Sequence, residues 1–155
     1  MKTPGRVRAP KRIRSINGFY GDDGIFETKQ KALMFCAAVG VHIDEREPLT
    51  APDSGIRWGT FSSRGDDYFL QALGLYENEG LEILAGEDED GETYVQIFEE
   101  YANAGLKYIE DRVVNTSTGL FEGLIDLMTE ARKSNEKPPS GLEGASRDAL
   151  EAIGL

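Results

Sequence analysis

The segment QIFEEYANAGLKYIED, residues 96–111, predicts a long helix over about residues 92–113, with a broad buried face. Two apolar stripes run side by side at helical spacing. They comprise Ile97, Tyr101, Ala104 and Tyr108, and next to them Phe98, Ala102, Gly105 and Ile109. A glycine inside a helix costs about 1 kcal/mol relative to alanine. Ala104 and Gly105 therefore indicate that another element packs very close to the middle of this helix.

The polar positions of the same helix fall on its opposite side, so we expect them to face solvent. They are Glu99, Glu100, Asn103, Lys107, Glu110 and Asp111.

The rest of the chain predicts further helices joined by loops rich in glycine, proline and aspartate. One helix should begin after Thr28 as its N-cap and stop at Gly40. Others are expected near 64–78, 81–86 and 120–133. Their expected buried residues are Phe69, Leu70, Leu73 and Tyr76, and then Leu120, Leu124, Leu127 and Met128. With a short extended segment near 56–61, this predicts a mainly α fold, a compact bundle of four to five helices.

The composition divides the chain into three parts. Residues 1–18 mix basic residues with proline and glycine, and predict a flexible basic arm. Residues 19–133 should form a single helical domain. Residues 134–155 begin with SNEKPPSG, which is typical of a linker, and end in a C-terminal tail.

The charge is strongly uneven along the chain. The net charge is −11, yet residues 1–14 hold six basic residues and no acidic one, which leaves a net charge of −17 for residues 15–155. An acidic body repels nucleic acid, whereas the arm could contact phosphates or an acidic protein patch. The candidate contact residues are Arg6, Arg8, Lys11, Arg12 and Arg14. Alternatively, the arm only aids solubility or pairs with the acidic body of the same chain.

No motif in the sequence points to catalysis, a metal or a cofactor. There is no Gly-Lys-Ser/Thr loop and no G-x-G-x-x-G. Calcium loops built around Gly24 or Gly91 fail at their end positions. No apolar run is long enough to span a membrane, and the single cysteine suits a reducing compartment, so we expect a cytoplasmic protein.

Three sequence patterns are compatible with an enzyme, but each is incomplete. Cys36 and His42 could form a nucleophilic pair, but Cys36 falls on a buried helical stripe. Acidic residues around His42 could act as an acid–base site. Pro52-Asp53 resembles the start of a metal-dependent nuclease motif, although the Glu-x-Lys partner is found only upstream, as ETK at 27–29. We therefore expect a protein that is not an enzyme and needs no cofactor.

Four segments together resemble a known family. They are KALMFCAAVGV with the following EREPL, then IRWGTF, then FLQALGLYENEGLEILAG, and finally QIFEEYANAGLKYIED. The chain is similar to the small Dnd (DNA phosphorothioation) system-associated proteins over about residues 26–112. IFEEYANAGL is the most specific part, since that family carries IFEEYANGGL. This chain departs from the family in Ala104, in the acidic loop 86–92, and in the residues after about 113, for which we expect no counterpart.

The resemblance implies a setting rather than a reaction. Dnd clusters replace a backbone oxygen of DNA with sulfur, and linked proteins restrict unmodified DNA such as phage genomes. A small helical protein without active-site chemistry is expected to act there as an adaptor, binding other proteins of the cluster. The alternative is a DNA-binding accessory protein that uses the basic arm. The oligomeric state stays open.

Overall fold

The computed structural model of the protein describes residues 4–86, 92–116 and 118–136. Within these ranges the chain forms five α-helices, which confirms the mainly α fold. They are α1 (Lys29–Ile43), α2 (Trp58–Ser62), α3 (Asp67–Glu77), α4 (Tyr94–Ile109) and α5 (Leu120–Glu136). Short 3₁₀-helices cover Lys11–Ser15 and Leu81–Ala85, and a π-helical turn covers Glu110–Val114. Two short strands, β1 (Arg6–Val7) and β2 (Ile56–Arg57), pair antiparallel.

The core is built around α1 and α4, which cross at two glycines. A side chain on Gly105 would overlap the carbonyl oxygen of Cys36 and lie 2.8 Å from the backbone nitrogen of Gly40. A side chain on Gly40 would overlap the carbonyl oxygen of Tyr101. The close approach predicted from the small residues of α4 is therefore confirmed, and its partner is α1.

The predicted start of α1 agrees with the structure, but its predicted end does not. Its first turn is capped as expected, because the hydroxyl of Thr28 accepts a hydrogen bond from the backbone N–H of Lys31. The prediction that Gly40 ends the helix is wrong. α1 continues to Ile43, and Asp44 ends it in the left-handed conformation (φ 54°, ψ 45°). Gly40 is a contact position against α4, and its missing side chain is what the crossing requires.

α2 replaces most of the expected extended segment 56–61, whereas α3 lies within the expected helix 64–78. Within residues 56–61, only Ile56 and Arg57 are extended, and a helical turn starts at Trp58. Phe61 is fully buried in α2. α3 packs on α4 through Leu70, Leu73 and Gly74, which are all buried. Tyr76, expected in the buried stripe, is instead 62 % exposed.

Residues 4–18 do not form the free arm that we expected. Val7, Ala9 and Ile13 are completely buried, and β1 pairs with β2. This segment covers part of the polar side of α4. Glu99 and Asn103, which were expected to face solvent, are only 3 % exposed each. Arg8 covers Glu99, whereas the Asn103 side chain donates to the carbonyls of Glu47 and Pro48.

α5 packs along one edge of the molecule. Leu124 is buried, and Leu120 and Leu127 are partly buried. Met128, expected in the packed stripe, is 52 % exposed. Residues 134–136, expected to start the linker, belong to α5, and residues 137–155 lie outside the described part of the chain.

Candidate interaction surfaces

The five basic residues proposed from the sequence fall into two groups. Arg8 and Arg12 form the first group, and both are neutralised by α4 and the π-helical turn after it. The Arg8 backbone N–H donates to Glu99 Oε2 over 2.6 Å, and its guanidinium donates to Glu99 Oε1 over 3.0 Å. The hydrogen bonds to Glu99 and its charge raise the pKa of Arg8. The Arg12 guanidinium donates to Glu110 Oε1 at 2.5 Å and to the Asn103 carbonyl at 3.1 Å.

Arg6, Lys11 and Arg14 form the second group, gathered around segment 51–57. The Arg6 guanidinium donates to the carbonyls of Ser54 and Gly55, at 3.2 and 2.9 Å. The backbone N–H of Lys11 donates to the Ala51 carbonyl, and its side chain is exposed. Arg14 lies 3.6 Å from Asp53 with 59 % of its side chain exposed.

Two further cations join this group, and sequence reasoning missed both. Arg57 is the direct cross-strand partner of Arg6 in the β1–β2 pair, and it is exposed. Lys29 forms an ion pair with Asp53. We call Arg6, Lys11, Arg14, Lys29 and Arg57 the basic face. Its members come from three separate stretches, and only the pairing of β1 with β2 and the position of Asp53 bring them together.

Asp53 holds the basic face in place. Its side chain is 1 % exposed. Its Oδ1 accepts from the backbone N–H groups of Ala9 (3.3 Å) and Gly55 (2.8 Å), while Oδ2 faces Lys29 and Arg14. Pro52-Asp53 and the lysine of ETK, the two halves of the nuclease-like pattern, thus meet in an ion pair that fixes the chain. That arrangement does not support the nuclease alternative.

A second surface lies on α3. The exposed side of α3 carries, at helical spacing, Tyr68, Ala72, Leu75 and Tyr76. Leu81, the first residue of the following 3₁₀-helix, is exposed as well. We call these five residues the α3 face. Tyr68 is 70 % exposed and Leu81 is 72 % exposed. Glu79 and Glu82 are exposed beside it, and the acidic sequence 86–92 follows Leu81.

α5 carries a third, smaller apolar surface. Phe121, Ile125 and Met128 are 58 %, 44 % and 52 % exposed, next to the packed stripe of the same helix. A shallow groove of about 180 Å³ separates α5 from the π-helical turn. Arg112 lies in its wall, with its guanidinium 5.2 Å from the centre of the Tyr108 ring.

The residues considered for catalysis do not converge. Cys36 is fully buried, and burial raises the pKa of its thiol well above the ordinary value. His42 is exposed on the last turn of α1. Among the described residues, no three His, Cys, Asp or Glu side chains are grouped as a metal ion would need. None of the described helices combines the length and the apolar character of a membrane span.

One comparison with known proteins gave a match. A family model described as DNA sulphur modification system-associated protein 4 matches residues 6–143. No curated protein and no solved structure matches the chain. The matched region starts before and ends after residues 26–112, and it includes all three surfaces. The expectation that residues after about 113 have no counterpart in the family is therefore wrong.

Proposed function

Since the chain belongs to the family of DNA sulphur modification system-associated protein 4, we propose that it is a non-enzymatic adaptor, which binds another protein of that system. Membership establishes the association with DNA sulphur modification, and the proposal concerns how the protein acts there. We place it in the cytoplasm, where DNA lies and where a reduced cysteine such as Cys36 is stable. Its role in restricting unmodified phage DNA is part of the same proposal.

The observation that carries the adaptor role is the α3 face. Singly exposed apolar residues are common on protein surfaces, but two tyrosines and two leucines exposed on α3 and the turn that follows it are more than that. Tyrosine is among the residues that contribute most to protein–protein binding, because its ring buries a large area at a small entropic cost. α3 itself packs on α4, where the Phe69 ring lies edge-on to the Phe98 ring at 6.1 Å, so the row is presented by a helix that the core supports.

The charges beside the α3 face define the partner. Glu79 and Glu82 border the row, and the acidic segment 86–92 follows it in sequence. A complementary partner therefore has an apolar centre surrounded by lysine and arginine residues. Its association should slow at high salt, because the charged rim contributes mainly to the rate of encounter.

Affinity capture tests this proposal. The tagged full-length protein is mixed with each protein encoded beside its gene, and capture is measured for wild type, Tyr76→Arg and Leu81→Arg. We expect capture of one neighbour and a loss of about tenfold or more in each variant, as for an interface residue worth more than about 1.4 kcal/mol. Met128→Arg is the matched control, since it places the same charge on an apolar position of α5 that is also more than half exposed.

Two results would contradict the proposal. Capture of none of the neighbours would remove the adaptor role. Capture that survives Tyr76→Arg and is lost in Met128→Arg would move the docking surface from α3 to α5.

Contact with DNA is the second candidate function, and the basic face favours it. Of the five residues first considered, Arg8 and Arg12 are occupied by Glu99 and Glu110. Arg6, Lys11 and Arg14 retain charge at the surface, and the fold adds Arg57 beside them. This candidate therefore depends on a folded surface and not on a flexible arm.

A further inference from the structure

We propose that the basic face binds the phosphate backbone of duplex DNA, with Arg57 and Arg6 at its centre. This inference deepens the second candidate function and is independent of the adaptor role. The DNA contacts are therefore assigned to the folded basic face and not to a flexible N-terminal arm. Arg57 is a contact residue that the arm did not include.

Arg6 and Arg57 form a like-charged pair at the centre of the basic face. These two residues lie directly opposite each other in the antiparallel β1–β2 pair. Like charges at such positions repel and destabilise the pair. The Arg6 guanidinium is held by two carbonyls, and Arg57 makes no ion pair with any residue that the structure describes. Two arginines thus lie opposite each other, and neither forms an ion pair within the described part of the chain, which is the arrangement that an external anion would stabilise.

Asp53 is the single acidic residue of segment 51–57. Two cations, Arg14 and Lys29, share this one carboxylate. The pKa of Lys29 is lowered, first by burial and then by the positive charge of Arg14. The carboxylate itself is buried, whereas Arg14 is more than half exposed. The surface around Asp53 therefore keeps a positive excess, and Arg14 presents its exposed side to a ligand while it is paired with Asp53.

The exposed cations of the basic face match a phosphate ligand. Arginine donates a planar fork of N–H groups that matches a phosphate group. Arg6, Lys11, Arg14 and Arg57 are exposed, so the face provides four cations, which we assign to phosphate contacts. The net charge of −17 on residues 15–155 repels a polyanion elsewhere, so the duplex can approach in few orientations. The family's association with DNA sulphur modification makes duplex DNA the ligand to which we commit.

Contacts of this kind carry two signatures. They are independent of base sequence, because they touch only the backbone. They are also indifferent to sulfur, since a phosphorothioate keeps the negative charge of the phosphate. With four contacts, the slope of log K against log salt should be about −3 to −4.

The test is the binding of the full-length protein to a short fluorescent DNA duplex, measured by anisotropy between about 50 and 200 mM salt. Arg57→Glu should weaken binding about tenfold or more and flatten the salt dependence. This variant should remain folded, because the introduced carboxylate would face Arg6 as an opposite charge. Lys133→Glu on α5 is the control with the same charge change, and it should alter affinity less than about twofold.

The outcomes separate the alternatives. Wild-type protein that fails to bind the duplex at about 50 mM salt, or equal losses in Arg57→Glu and Lys133→Glu, would overturn the proposal. Tighter binding of an RNA duplex or of polyglutamate than of DNA would overturn the choice of ligand. Capture of a neighbouring protein should be unchanged in Arg57→Glu, so failure of this inference and failure of the adaptor role are distinguishable.

Discussion

Arg8 and Glu99 lie 91 residues apart in sequence, yet one carboxylate receives both the backbone N–H and the guanidinium of Arg8. The Glu99 side chain is 4 % exposed, whereas that of Arg8 is 49 % exposed. A buried carboxylate without partners is costly, so Glu99 depends on the N-terminal segment for its neutralisation. The basic residues of this segment thus include structural ones, and Arg8 is the clearest.

Arg8→Ala should destabilise the protein by about 1–3 kcal/mol. Loss of one partner from a fully buried pair costs about 3–5 kcal/mol, and the value is reduced here because water reaches the half-exposed Arg8 site. Urea unfolding measures the change. Lys11→Ala removes an exposed cation of the same segment and should shift stability by less than about 0.5 kcal/mol. Equal urea midpoints for the two variants would show that the Arg8–Glu99 pair contributes nothing.

Deletion of residues 1–14 should damage the fold and not merely remove a charged tail. The deletion takes away Val7 and Ile13, which are fully buried, and leaves β2 without a partner strand. Each such side chain contributes about 1.5–3 kcal/mol, so the melting temperature should fall by more than about 10 °C. Thermal unfolding followed by circular dichroism checks this, and an unchanged melting temperature would contradict it. Truncation is therefore a poor test of DNA binding, and charge substitutions on the basic face are needed.

Helix positions were predictable because their signals are local. The apolar spacing of 97–109 and the N-cap at Thr28 depend on residues within a few turns of each other. Gly105 also indicated a close contact. The sequence could not identify Gly40 as the other side of it, because that choice depends on how α1 crosses α4.

The N-terminal segment was misjudged for a different reason. Val7 and Ala9 alternate with Arg6 and Arg8, which is the period of a strand with one buried face. The many basic residues and prolines of this segment favoured the interpretation as a flexible arm over that of a strand. The sequence indicated Arg6, Lys11 and Arg14 of the basic face but not Arg57, which joins it only through the register of β1 on β2. Tyr76 was misplaced because helical spacing shows an apolar stripe without showing which part of it a neighbour covers.

Gly105→Ala should destabilise the protein by about 1–3 kcal/mol, although alanine favours a helix. The new methyl group would overlap the carbonyl of Cys36, and backbone atoms cannot move aside as a side chain can. Gly59→Ala is the matched control, because Gly59 lies in α2 with nothing within 4 Å of the added atom. That variant should be neutral or gain up to about 1 kcal/mol. Chemical denaturation measures both, and a stabilising Gly105→Ala would refute the close crossing of α1 and α4.

Cys36 should make stability fall with rising pH in the alkaline range. Burial, followed by the charge of Glu110, raises the pKa of its thiol far above that of an unfolded thiol, about 8.5. The folded state therefore keeps its proton where the unfolded state loses it, so this contribution is complete below about pH 8.5 and declines above it. Between pH 8 and 10, wild type should lose about 1–2 kcal/mol more than Cys36→Ala, measured by urea unfolding at each pH. Tyr94 and Lys29 titrate in both proteins, so their effects cancel in the comparison. Identical pH profiles would mean that the thiol ionises inside the fold, and rapid modification of native Cys36 by a thiol reagent would mean that α1 opens from α4.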